Sequence, residues 1–145
     1  MKEFTEDERK HLDYLQAIIT RMNTNSFQIK GFVITIVSAF IAIFASTQKV
    51  VFISISGSPI LIFWLLDSFY LQQERKFRGI YNDVIGKTHI NNILTYEMPV
   101  NLYKGNGCSF VEVVFSRTIF PLYFILILMI IGSSVMLVIN KFAFI

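Results

Sequence analysis

The chain has 145 residues, of which 54% are hydrophobic and only 16% charged, against roughly a quarter charged in a soluble domain. With a mean hydropathy of +0.57, a chain this short would expose too much apolar surface to stay in solution, which argues against disorder, a disulfide framework and a large enzyme. The net charge of +3 gives no support to direct nucleic-acid binding, and Cys108, the one cysteine, makes neither an intrachain disulfide nor a zinc site.

In chain order, the first thirty residues mix five acids with five bases and hold no apolar segment preceded by positive charge, so they do not read as a signal peptide. Thr5 and Glu8 stand three apart as a capping box, and Glu6, Asp7 and Glu8 suit the positive end of a helix dipole. Leu12, Leu15, Ile19 and Met22 then recur at helical spacing. This predicts an amphipathic helix over residues 5–26, weakened at the polar run Asn23-Thr24-Asn25-Ser26. His11 falls opposite the Leu12/Leu15 stripe and reads as a solvated helix residue.

Three uncharged runs come next. Residues 31–48 give 18, about 27 Å as a helix, which is close to a hydrocarbon core. Residues 50–66 give 17 and residues 118–140 give 23. The expected spans are 29–47, 50–72 and 118–140, the first two joined by a tight hairpin at Thr47-Gln48-Lys49. The competing explanation, a long helix pair in a soluble core, fits poorly with a third run this long. The second span continues to about residue 86, with Phe69/Tyr70, Phe77, Ile80/Tyr81 and Val84 on one stripe. That stripe is expected to pack on the first helix as a cytoplasmic stalk; a surface-lying helix is the alternative for residues 5–23, against which the acidic first turn counts. Residues 87–117 read as a cytoplasmic loop, with a second capping box at Ser109 and Glu112 and with Pro121 in the first turns of the third span.

Lys and Arg fix the expected orientation. Five precede the first span and six lie between Asp67 and Arg117, whereas the hairpin and the tail hold only Lys49 and Lys141. The positive-inside rule therefore puts the N-terminus and the long loop inside and the C-terminus outside. The fold class expected is an all-α integral membrane protein. It forms a single domain over residues 1–145, in the cytoplasmic membrane, with lipid as its first partner.

Candidate functional features are few. Asp67 is an acid at the edge of an apolar run, open to a structural pair with Lys30 or to a pore, proton or ligand role. Pro59, after Ser54, Ser56, Gly57 and Ser58, predicts a kink or hinge whose serines either cap the backbone or line a water-filled path. Gly31, Thr35 and Ala39, with Ser38, Ala42 and Ser46, place small residues at every fourth position, for packing within the chain or between copies. Trp64, Phe63, Phe69 and Tyr70, with Phe120, Tyr123 and Phe124 at the start of the third span, read as an interfacial aromatic belt. His11 and His89 stand alone in their segments, and no metal, nucleophile or phosphate-cradling motif occurs. The chain is thus expected not to be an enzyme and to use no cofactor.

Most of the chain, about 11–124, resembles a type of small bacterial membrane protein. The pattern runs RM-x-x-NSF-x-x-KG, then FW-x-LD-x-x-YL-x-QER-x-FR-x-x-Y, then FS-x-T-x-x-x-FY, with Leu122 departing from the last motif. The type is associated with membrane accessory or effector subunits beside anti-phage systems (RADAR, CRISPR-associated and retron-type loci). The resemblance assigns importance to Arg21, Asn25, Ser26, Lys30, Gly31, Asp67, Gln73, Glu74, Arg75, Arg78 and Tyr81, without giving them a chemistry. Asn25, Lys30, Asp67 and Arg75, flanked by Arg21 and Arg78, are expected to gather as one polar cluster at the cytoplasmic mouth. The function this implies is that of a homo-oligomer that perturbs or permeates the inner membrane in defence. The alternative is a non-conducting anchor or scaffold that recruits a soluble cytoplasmic defence protein.

Overall fold

A computed structural model describes residues 4–143 apart from His89 and Asn106. Lys2 and His89 therefore lie outside the described residues. Among those residues the chain is all-helical: α1 (Glu6–Thr47), α2 (Val50–Ile55), α3 (Gly57–Val84), a 3-10 turn (Val100–Leu102), α4 (Phe110–Val114) and α5 (Phe120–Ala143). Two helical runs, Glu6–Thr47 and Val50–Val84, are long and apolar enough to cross a membrane, and α5 carries a shorter apolar run, Phe120–Met136.

The capping box at the start of α1 forms. Thr5 N donates to Glu8 Oε2 at 2.8 Å and Glu8 N donates to Thr5 Oγ1 at 3.2 Å. The expected weakening at residues 23–26 does not occur, and α1 runs unbroken for 42 residues. Asn, Thr and Ser each cost only about half a kcal/mol against Ala in a helix, and Ser26 is buried and bonded rather than solvated. Gln48 ends α1 in the left-handed region at φ 54°, its side chain donating to the Ala45 carbonyl at 2.9 Å. That closes the expected hairpin with Lys49.

The signal from Pro59 appears as a one-residue interruption within the helical run Val50–Val84, with Ser56 keeping helical angles of φ −61° and ψ −18°. α2 and α3 meet at Ser56, which places Pro59 in the first turn of α3, where a helix has no use for its missing donor. Pro121 occupies the same kind of place in α5, which starts at Phe120 rather than at residue 118. The second expected capping box is displaced: Glu112 Oε2 accepts from the Gly107 N–H at 3.1 Å instead of reaching Ser109.

Two compact units result, unit one from residues 1–26 and 68–113 and unit two from residues 27–67 and 114–145. In unit one, Leu15 of α1, Ile80 of α3 and Tyr103 form a buried core, with Phe77, Tyr81, Val84, Ile93, Met98 and Val100 packed on it. The two stripes read from the sequence do meet. In unit two, Ile29, Val33, Val37 and Phe44 are the buried line of α1, and Ile53, Ile60, Ile119, Tyr123 and Leu126 complete the core; α2 packs on α5.

Candidate functional site

Unit two encloses a charge pair. Lys30 Nζ lies 2.7 Å from Asp67 Oδ2 and 2.8 Å from Oδ1, and Asp67 is fully buried. Tyr123, also fully buried, donates its hydroxyl both to the Phe63 carbonyl at 3.1 Å and to Asp67 Oδ2 at 3.3 Å. Its ring stacks on Trp64, centroids 5.8 Å apart and planes 8° apart, and Trp64 Nε1 donates to the Val114 carbonyl at 3.2 Å. A buried carboxyl group in an apolar setting needs such partners to offset its lost hydration. Tyr123 therefore does more than sit in an aromatic belt, because its hydroxyl completes the Asp67 site.

The residues of the expected polar cluster divide between the two units, Lys30 and Asp67 in unit two and Arg21, Asn25, Arg75 and Arg78 in unit one. Arg75 is used inside unit one, where its NH1 donates to the Gly107 carbonyl at 2.6 Å, beside a 2.9 Å bond from Gln72 Nε2 to the Cys108 carbonyl. Arg78 Nε holds Glu74 Oε1 at 2.7 Å one turn away. Groups within unit one thus engage both arginines. Arg21 is exposed and Asn25 half-buried.

The serines at the interruption spend their hydroxyls on the backbone. Ser54 Oγ donates to the Val50 carbonyl at 3.1 Å and Ser56 Oγ to the Ile53 carbonyl at 2.6 Å. Ser54 and Ser58 border a cavity of about 390 Å³ whose other walls include Ile60, Leu61, Ile127, Ile130 and Ile131, so the groove is chiefly apolar. The small residues of α1, open on the sequence to packing within the chain or between copies, lie uncovered within the chain. Gly31, Thr35, Ser38, Ala39, Ala42 and Ser46 are all exposed, and a Cβ at Gly31 would meet nothing within 4 Å.

Unit one holds a second polar centre, which sequence reasoning missed. Asp83 accepts hydrogen bonds from Thr88 Oγ1, the Ile90 and Asn91 N–H groups, Asn91 Nδ2 and the Tyr103 hydroxyl. Burial pushes its pKa up, but these donors outweigh that and hold it below the ordinary value. The Tyr103 hydroxyl is pushed up to about 12 by its own burial and by the bond to Asp83. His11 is buried rather than solvated, at 1% exposure. Its ring lies 6.0 Å from that of Tyr96. Desolvation lowers its pKa, against the opposing effect of a bond to the Glu97 backbone. Among the described residues, no group of three or more His, Cys, Asp or Glu side chains gathers to hold a metal ion.

No family model matches the chain, and neither curated proteins nor solved structures contain a significant relative.

Proposed function

We propose that the protein is a homo-oligomeric membrane effector of bacterial anti-phage defence. It spans the inner membrane three times, N-terminus inside and C-terminus outside, and unit one is the cytoplasmic stalk that receives a partner or signal. At 42 residues, α1 is about 63 Å long, twice a hydrocarbon core, so half of it extends beyond the lipid. The observation that carries the oligomer is the small-residue face of α1. It lies uncovered while Ile29, Val33, Val37 and Phe44 of the same helix face inward. Stripes of that kind let helices from different chains approach closely in lipid, where van der Waals contact drives association. The rest of the apolar exposure, including Leu61, Ile62, Leu65 and Met129, suits lipid tails. Asp67 has no lining role in this reading. It is a structural pair with Lys30, and the membrane is perturbed by assembly.

One observation favours the second reading, a non-conducting anchor that recruits a soluble defence complex: Asp67, Ser54 and Ser56 all bond groups of the chain itself. Liposomes loaded with a self-quenched dye separate the two. Leak after reconstitution, alone or with the product of a neighbouring gene, supports the effector. A tight vesicle that still retains a soluble partner supports the anchor.

A further inference from the structure

Unit one contains a cavity of about 440 Å³ between the last turns of α3 and the loop that follows them. Arg75, Arg78 and Asn82 reach it from α3, at spacings that put them on one helix face. Ile90, Leu102 and Tyr103 supply the apolar part of its wall from the loop. Among the described residues no Asp or Glu lines it.

The two guanidinium groups keep most of their donors. Among the described residues, half-buried Arg75 has no carboxylate within ion-pair distance. It gives one N–H to the Gly107 carbonyl, and the rest of its fork is unengaged. Glu112 of α4 accepts from the Gly107 N–H instead. Arg78 gives its Nε–H to Glu74, which leaves both terminal nitrogens. Asp83, which bonds the wall residues Thr88, Asn91 and Tyr103, is satisfied by those donors. A guanidinium half out of water with no anion beside it carries a desolvation cost that an anionic ligand offsets. Two neighbouring forks suit a tetrahedral dianion better than a monocarboxylate, which one fork would satisfy.

We infer that this cavity binds a phosphomonoester whose phosphoryl oxygens take the free N–H groups of Arg75 and Arg78 and whose organic body lies against Ile90 and Leu102. Those two side chains are 69% and 58% exposed, so an apolar or aromatic body has area to cover. The side-chain amide of Asn82 makes no hydrogen bond among the described residues and offers a further donor to the phosphoryl group. Two sources carry this chemistry, a soluble phosphate such as a nucleotide and a lipid headgroup. The site belongs to unit one alone and stands whether or not the apolar helices assemble.

Isothermal titration of the full chain in phosphatidylcholine nanodiscs tests this, with adenosine monophosphate and dioctanoyl phosphatidic acid as probes. Adenosine and acetate are the controls, and empty nanodiscs the blank. The expected result is saturable binding of at least one phosphate and of neither control. Binding of the nucleotide assigns a soluble ligand, and binding of phosphatidic acid alone assigns a lipid headgroup. Arg75→Met should weaken binding about tenfold or more. Asn82→Leu serves if Arg75→Met does not fold, and should weaken binding at least about threefold. Absence of saturable binding by both phosphates overturns the inference, as does adenosine binding as tightly as its monophosphate. Unchanged affinity in the folded variants overturns it equally.

Discussion

Asp67 is buried without trace of exposure, and Lys30, 37 positions earlier, reaches both of its oxygens within 2.8 Å. An ion pair therefore ties α1 to α3 where the surroundings are apolar. Such pairs cost much to break and little to replace, because the desolvation penalty of two charges offsets most of their attraction. Lys30→Met, which leaves the buried Asp67 without its partner, is expected to lower stability by about 3–5 kcal/mol. Lys30→Met combined with Asp67→Leu should recover most of that loss. Thermal unfolding in detergent of the wild type, the single and the double variant checks both statements.

Gly79 and Gly31 should respond to alanine in opposite ways. A Cβ on Gly79 would stand 2.5 Å and 2.8 Å from ring atoms of Tyr103, which is buried and held by Asp83. Alanine there should gain about 1 kcal/mol of helix propensity and lose more to overpacking, about 1–3 kcal/mol. Gly31→Ala meets no atom of its own chain within 4 Å, so in the Ala39→Leu, Ala42→Leu background, where no second copy covers that face, only the propensity gain remains. Melting temperatures should move down for the first and up for the second.

Tyr103→Phe removes one of the donors to Asp83 and should cost about 1–2 kcal/mol. The two shifts set the pH dependence. Asp83 is held below its ordinary value, so its contribution is full above pH 3.8 and disappears as acidification passes its folded value. Tyr103 is raised, so its contribution is full below pH 10 and is lost between pH 10 and about 12. Loss of the alkaline arm in Tyr103→Phe is the measurement that identifies the group.

His11 should make unit one sensitive to mild acid. Its folded pKa lies below the ordinary 6.5, so the unfolded chain takes up the proton first and stability falls as pH drops through that value. The charged and titratable groups around it are Glu8 on α1, Asp83 from α3 and Tyr96 from the loop, with the Glu97 backbone beside them. Hydrogen exchange of residues 90–103 at pH 7.5 and 5.5 should show faster opening at the lower pH, an effect absent in His11→Phe.

Legibility in the sequence divides by range and by chemistry. The Thr5–Glu8 cap, the turn at Gln48 and the restarts near Pro59 and Pro121 depend on neighbours a few residues away, and so were legible. The Lys30–Asp67 pair was legible because two lone charges at the ends of apolar runs joined by a hairpin have few other partners. The acceptor of Arg75 was not legible, because it is a backbone carbonyl, Gly107, which no pattern of side chains marks. His11 and Tyr123 were misread for a related cause: the Glu97 and Asp67 groups they meet lie 86 and 56 positions away. The Asp83 centre left only a faint signal, an acid at a helix end with Thr88 and Asn91 in the polar loop after it.

The central claim is that the uncovered small-residue face of α1 joins copies of the chain. Native mass measurement in lipid nanodiscs tests it most directly, on the wild type and on Ala39→Leu with Ala42→Leu, two exposed positions outside the chain's own core. The wild type is expected as a defined oligomer, and the double variant as a folded monomer. A monomeric wild type, or an oligomer indifferent to the two leucines, would contradict the claim.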